Sequence, residues 1–105
     1  MPKRDTDLLI GDMQECCFLI FEYTRGMQYA DFVADRKTID AVIRNFEVRG
    51  EAAKRVPEEV QLVNPQIDWR RIRDFGNLLI HEYFGINYTI VWKIIKITCR
   101  KFISI

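Results

Sequence analysis

The chain has 105 residues, 49% hydrophobic and 30% charged, a composition that excludes intrinsic disorder and predicts one globular domain spanning 1–105. Its net charge of +1 excludes a global field drawing it to nucleic acid, so any affinity for RNA must come from local patches. One histidine and three cysteines, two of them adjacent and none in a CxxC pair, support neither a zinc site nor a disulfide framework.

The N-terminal "MPKRDTD" is charged and no apolar signal core follows it, and no apolar run approaches the ~18 residues of a membrane span. A cytoplasmic protein with no membrane partner is expected. A helical chain this short buries more apolar area by pairing with a second copy, so a homodimer is expected too.

The first helix is read from "DTDLLIGDMQECCFLIFEYTRG". Leu9, Met13, Cys16 and Ile20 recur at helical spacing, Asp5 or Thr6 can cap the start, and Gly26 can end it. Leu8 and Phe18 lie off that stripe, which predicts cover on more than one side. "YADFVAD" is a short helical turn, and its Asp35 caps the next helix, "RKTIDAVIRNFEVRGEAAKRV". There Ile39, Val42, Ile43, Phe46 and Ala53 form one stripe. Gly50 costs that helix about 1 kcal/mol relative to alanine, a cost that a close helix crossing would justify.

Pro57 opens the connector "PEEVQLVNPQID", which holds a short helical piece. Asp68 caps a helix expected to run from Trp69 to about Phe84, closed by Gly85. Asn87 caps the last helix, "YTIVWKIIKITCRKFI", whose β-branched content keeps a strand open as the alternative. The expected fold is all-α: an antiparallel bundle of four long helices with short ones between.

Two basic clusters stand out: Arg70, Arg71 and Arg73, and then Lys93, Lys96, Arg100 and Lys101. Both are ordinary solvated helix faces unless a site claims them. On the Trp69 helix, Arg73, Asn77 and His81 follow at i, i+4 and i+8, along one side. Beside them Trp69, Ile72, Gly76, Leu79 and Tyr83 form the stripe that faces the bundle. A lone imidazole there could be structural, exposed or catalytic. No nucleophile elbow and no Gly-rich phosphate loop accompanies it.

The whole chain resembles the small HEPN family, the toxin half of HEPN/MNT (minimal nucleotidyltransferase) toxin–antitoxin pairs. "RDTDLLIGDM", "DAVIRNFEVRGEAAKRVPEEV" and "IDWRRIRDFGNLLIHEYFGINYTIVWKII" carry the likeness in order and spacing. The resemblance implies a dimeric helical bundle with motif helices meeting at a cleft, and metal-independent endoribonuclease activity without a cofactor of its own. It implies His81 as the acid–base residue and Asn77 as its helper, with Arg70, Arg71 and Arg73 available to contact RNA. Tyr83 matches the tyrosine that the cognate nucleotidyltransferase antitoxin, using ATP, modifies with AMP.

One motif position departs. The family form is Arg-Asn-x-x-x-His-x-Tyr, and here Gly76 stands where the arginine belongs. By that resemblance the chain is an attenuated toxin in which Gly76 looks like a replaced arginine, through engineering, selection or natural degeneration. The alternative is a non-catalytic helical module that binds RNA or a partner.

Overall fold

The structure is a computed structural model that describes residues 5–99 and, within them, every side chain except those of Tyr83, Thr98 and Cys99. The described chain is helical and contains no strand. The elements are α1 (Thr6–Tyr23), α2 (Tyr29–Ala34), α3 (Arg36–Arg55), α4 (Glu58–Leu62), α5 (Trp69–His81) and α6 (Tyr88–Ile94). A single 3-10 turn, Tyr83–Gly85, joins α5 to α6, and α6 continues as a π turn over Ile95–Cys99. The strand alternative for the last segment is therefore excluded over its described part.

Short polar side chains start the helices. Asp5, Asp35 and Asp68 accept the amides of Asp7, Thr38 and Arg71, and Asn87 accepts those of Thr89 and Ile90. Each satisfies an N–H that the helix leaves without an internal partner. α1 stops at Tyr23, and Gly26 turns the chain with φ +74°, a conformation that costs glycine nothing.

α3 lies at the centre, packed between α1 and α5, while α2 and the end of α6 close the bundle. The core draws Leu9, Met13, Cys17 and Ile20 from α1, Ile39, Val42, Ile43 and Phe46 from α3, Ile72 and Leu79 from α5, and Val91 and Ile95 from the last segment. Burying such side chains contributes about 1.5–3 kcal/mol each. Trp69 is buried at the start of α5, its indole Nε1 donating to the Asn64 carbonyl at 3.2 Å. Trp92 is half-buried against Tyr29 and Phe32.

Two sequence expectations need correcting. Leu8 and Phe18 are exposed rather than covered by a second element, because α1 buries one face only. The α5 helix ends at His81, not near Phe84, since Glu82 leaves helical geometry at φ −114°, ψ 35°. Phe84, the expected last residue of that helix, lies beyond it and is fully exposed.

The α3–α5 crossing is the tightest feature of the fold. A Cβ on Gly50 would stand 3.0 Å from the Gly76 Cα, and one on Gly76 would stand 3.1 Å from the Gly50 Cα and 3.4 Å from the Phe46 carbonyl oxygen. The two backbones touch because neither residue has a side chain. The close crossing expected from Gly50 is present, and its partner is Gly76.

Candidate ribonuclease site

The site grows out of that crossing. Gly76 is buried against α3, so the next residue, Asn77, emerges at the rim of the contact, half-buried. One turn further along α5, about 6 Å on the axis at 1.5 Å per residue, comes His81. It is exposed and is the last residue of the helix. The imidazole is thus open to an incoming ligand and sits at the helix end where cationic groups are favoured.

Asn77 is fixed from across the crossing rather than from its own helix. Lys54 Nζ on α3 donates to Asn77 Oδ1 at 2.6 Å and to Glu51 Oε1 at 2.9 Å. Lys54 and Glu51 are one helical turn apart, and both are exposed on the same face of α3. Among the described residues no hydrogen bond joins Asn77 to His81. The Asn77 amide oxygen is thus engaged by α3 rather than by the imidazole. Sequence reasoning passed over Lys54, although it lies within the "GEAAKR" segment that carries the family likeness. Its spacing of four residues from Gly50 was the available signal.

The three arginines proposed as RNA contacts are not brought together. Arg70 and Arg73 line an open cavity of about 570 Å³ formed with α4 and its following loop. Arg71 points elsewhere, to a cavity of about 250 Å³ that it shares with Arg49, Ile72, Asp74, Phe75 and Ile94. Arg70 and Arg71 also pair with Asp74 and Asp68 at 3.7 and 3.3 Å. In the second cluster Lys96 lies over the Trp92 ring at 4.6 Å, while Arg100 and Lys101 fall outside the described residues.

Tyr83 opens the 3-10 turn two residues past His81, and its side chain lies outside the described residues. The two cysteines whose side chains are described offer no nucleophile here. Cys16 and Cys17 are buried on α1, and burial, helped by the neighbouring Cys17, pushes the Cys16 thiol up to about 11. The Cys99 side chain is outside the described residues.

A buried cation that the sequence reading missed sits on α3, facing α1. Arg49 is 1% exposed, with its guanidinium 4.9 Å from the Phe46 ring centre and Nη1 donating to Cys17 Sγ at 3.6 Å. Its Nε has no hydrogen-bond partner among the described residues. Among the described residues no three His, Cys, Asp or Glu side chains converge as metal ligands would.

The fold and site together define a helical bundle that offers an amide and an imidazole from the exposed end of one helix, with a lysine from a second. Residues 13–105 match the ribonuclease HepT-like family, a HEPN family, and the chain belongs to it. A candidate RNase of Methanocaldococcus jannaschii is 42% identical over 95 residues, covering 90% of this chain and 78% of its own length. A Thermococcus cleftensis protein named as a probable ribonuclease HepT is 39% identical over 94 residues, covering 90% of this chain and 86% of its own. A candidate RNase of Caldanaerobacter subterraneus is 42% identical over 83 residues, 79% of this chain and 73% of its own. No solved structure matches the chain.

Proposed function

We propose that this chain is the toxin of a toxin–antitoxin pair, a metal-independent endoribonuclease acting in the cytoplasm as a homodimer whose α5 helices meet at an RNA-binding cleft. The observation that carries the reading is the exposed His81 at the end of α5, one turn from an Asn77 held by a cross-helix lysine. Family membership and the names of its relatives as ribonucleases support it.

His81 takes the proton from a ribose 2′-hydroxyl, and the 2′-oxygen attacks the adjacent phosphorus. The 5′-oxygen leaves, protonated by the equivalent histidine of the second copy. The products are a 2′,3′-cyclic phosphate and a 5′-hydroxyl. Asn77 donates its amide N–H to a phosphate oxygen as negative charge builds there.

The nucleotidyltransferase antitoxin uses ATP to place AMP on Tyr83. An added phosphate beside His81 blocks RNA through bulk and like charge. Without a side chain at Gly76 the site lacks the bidentate phosphate contact of an arginine. Loss of one such donor typically lowers rates about 10²–10³-fold.

The test is cleavage of RNA in EDTA by the chain, His81→Ala and Gly76→Arg. We expect weak cleavage that His81→Ala abolishes and that Gly76→Arg does not increase, because a side chain at 76 would part α3 and α5. Because a Cβ at 76 meets backbone atoms of α3, Gly76→Arg should also melt at a lower temperature. A second reading, a non-catalytic RNA- or partner-binding module, is favoured by the empty side-chain position at Gly76. RNA binding by the wild type without any His81-dependent cleavage would establish it.

A further inference from the structure

We infer that Lys54 is the phosphate-binding cation of this site, contributed by α3 where the motif position on α5 has no side chain. The inference rests on the ribonuclease reading of His81 and Asn77.

Its basis is geometric. The Gly50–Gly76 contact brings the two backbones together with no room for a side chain, and Lys54 lies one turn beyond Gly50 on the side of Asn77. From there its ammonium reaches Asn77 Oδ1 at 2.6 Å. A side chain at either glycine would push the helices apart and lengthen that reach. The glycine that removes one cation from the motif therefore lets another in.

The chemistry at the ammonium is also suited to the task. Lys54 has three N–H donors. One goes to Asn77 and one to Glu51, which leaves the third for a phosphate oxygen, and the side chain is 38% exposed, so a ligand can reach it. The bond to Oδ1 commits the oxygen end of the Asn77 amide to the lysine. Its NH₂ end remains to donate to the same phosphate. Glu51 opposes this by offsetting part of the lysine charge and holding the ammonium in place when RNA is absent. Of the nearby arginines, Arg70 and Arg71 are engaged by Asp74 and Asp68, and Arg73 faces the α4 cavity a full turn away.

The test uses the full chain with a fluorescent single-stranded RNA, 2′-O-methylated for binding and unmodified for single-turnover cleavage in EDTA. Lys54→Met should lower cleavage about 10²-fold. It should also reduce the slope of log affinity against log salt by about 0.7. Lys54→Arg should restore most of both, and Glu51→Gln should tighten binding. Arg25→Met, at an exposed residue outside the site, serves as a surface-charge control, and Lys54→Met melts at the wild-type temperature.

Unchanged binding and cleavage in Lys54→Met, with His81-dependent cleavage intact, would overturn the role of Lys54 and leave the ribonuclease reading standing. An inert wild type whose RNA affinity still falls in Lys54→Met and returns in Lys54→Arg would do the reverse. A wild type that neither binds nor cleaves RNA would overturn both.

Discussion

Asp35 shows how a single side chain ties sequence to acid sensitivity. Its carboxylate accepts the Thr38 amide at the start of α3 at 3.2 Å, and that backbone hydrogen bond holds its carboxyl below the ordinary 3.8. A carboxyl whose folded pKa is depressed contributes stability that is fully present above the unfolded value. The contribution disappears as the pH falls through the folded value. Melting curves of the wild type and Asp35→Asn should therefore keep a constant separation from neutral pH to about 5 and change it below, since an asparagine cap does not titrate. A separation that is the same down to strong acid would show that the cap carries no charge effect. Caps of this kind were legible in the sequence, because Asp5, Asp35, Asp68 and Asn87 act on amides two or three residues away. Lys54 was not, because its partner Asn77 is 23 residues distant and only the helix crossing brings them together.

Two helices meet at Gly50 and Gly76, and the crossing explains a glycine that sequence reasoning treated as a vacancy. Gly76 is a poor helix former, and beside a recognisable motif it looks like nothing more than a lost arginine. In the fold it is also half of a backbone contact that α3 and α5 require. The consequence can be checked by the sign of an effect. Alanine in place of glycine normally stabilises an exposed helix interior by about 0.5–1 kcal/mol. Gly11, with nothing within 4 Å of its would-be Cβ, should follow that rule and raise the melting temperature on Gly11→Ala. Gly50→Ala should instead destabilise by about 1–3 kcal/mol, because the new methyl meets backbone that cannot swing aside. If Gly50→Ala also stabilises, the crossing is looser than described. The existence of α5 and its start were readable from Asp68 and the apolar stripe. Its end was not, since "HEYFG" continues the apolar pattern while the backbone tightens into a 3-10 turn after Glu82.

Taken whole, the molecule leaves apolar side chains uncovered around the stretch that carries His81. Leu78, Ile80 and Ile90 are 50%, 43% and 48% exposed and Phe84 is 102% exposed. Leu78 and Ile90 line a cavity of about 230 Å³ with Gly85 and Ile86. A second copy laid on this end would cover them and bring two His81 side chains towards one cleft, which is the arrangement the proposed reaction needs. Sedimentation should show a dimer for the wild type and a monomer for Phe84→Glu, a change at a fully exposed position that leaves the fold intact. Identical sedimentation of the two would place any dimer contact elsewhere. No described helix is long and apolar enough to cross a membrane, so these residues are not accounted for as a span. The class of fold was readable from periodicity and the family from motif order, whereas the pairing of surfaces depends on which faces the bundle fails to bury.

The most direct measurement is mass spectrometry of the ends produced when the wild-type chain is incubated with RNA in EDTA, beside His81→Ala. The account predicts 2′,3′-cyclic phosphate and 5′-hydroxyl ends from the wild type and intact RNA from the variant. The same ends in equal yield from His81→Ala, or 5′-phosphate ends from either protein, would contradict it.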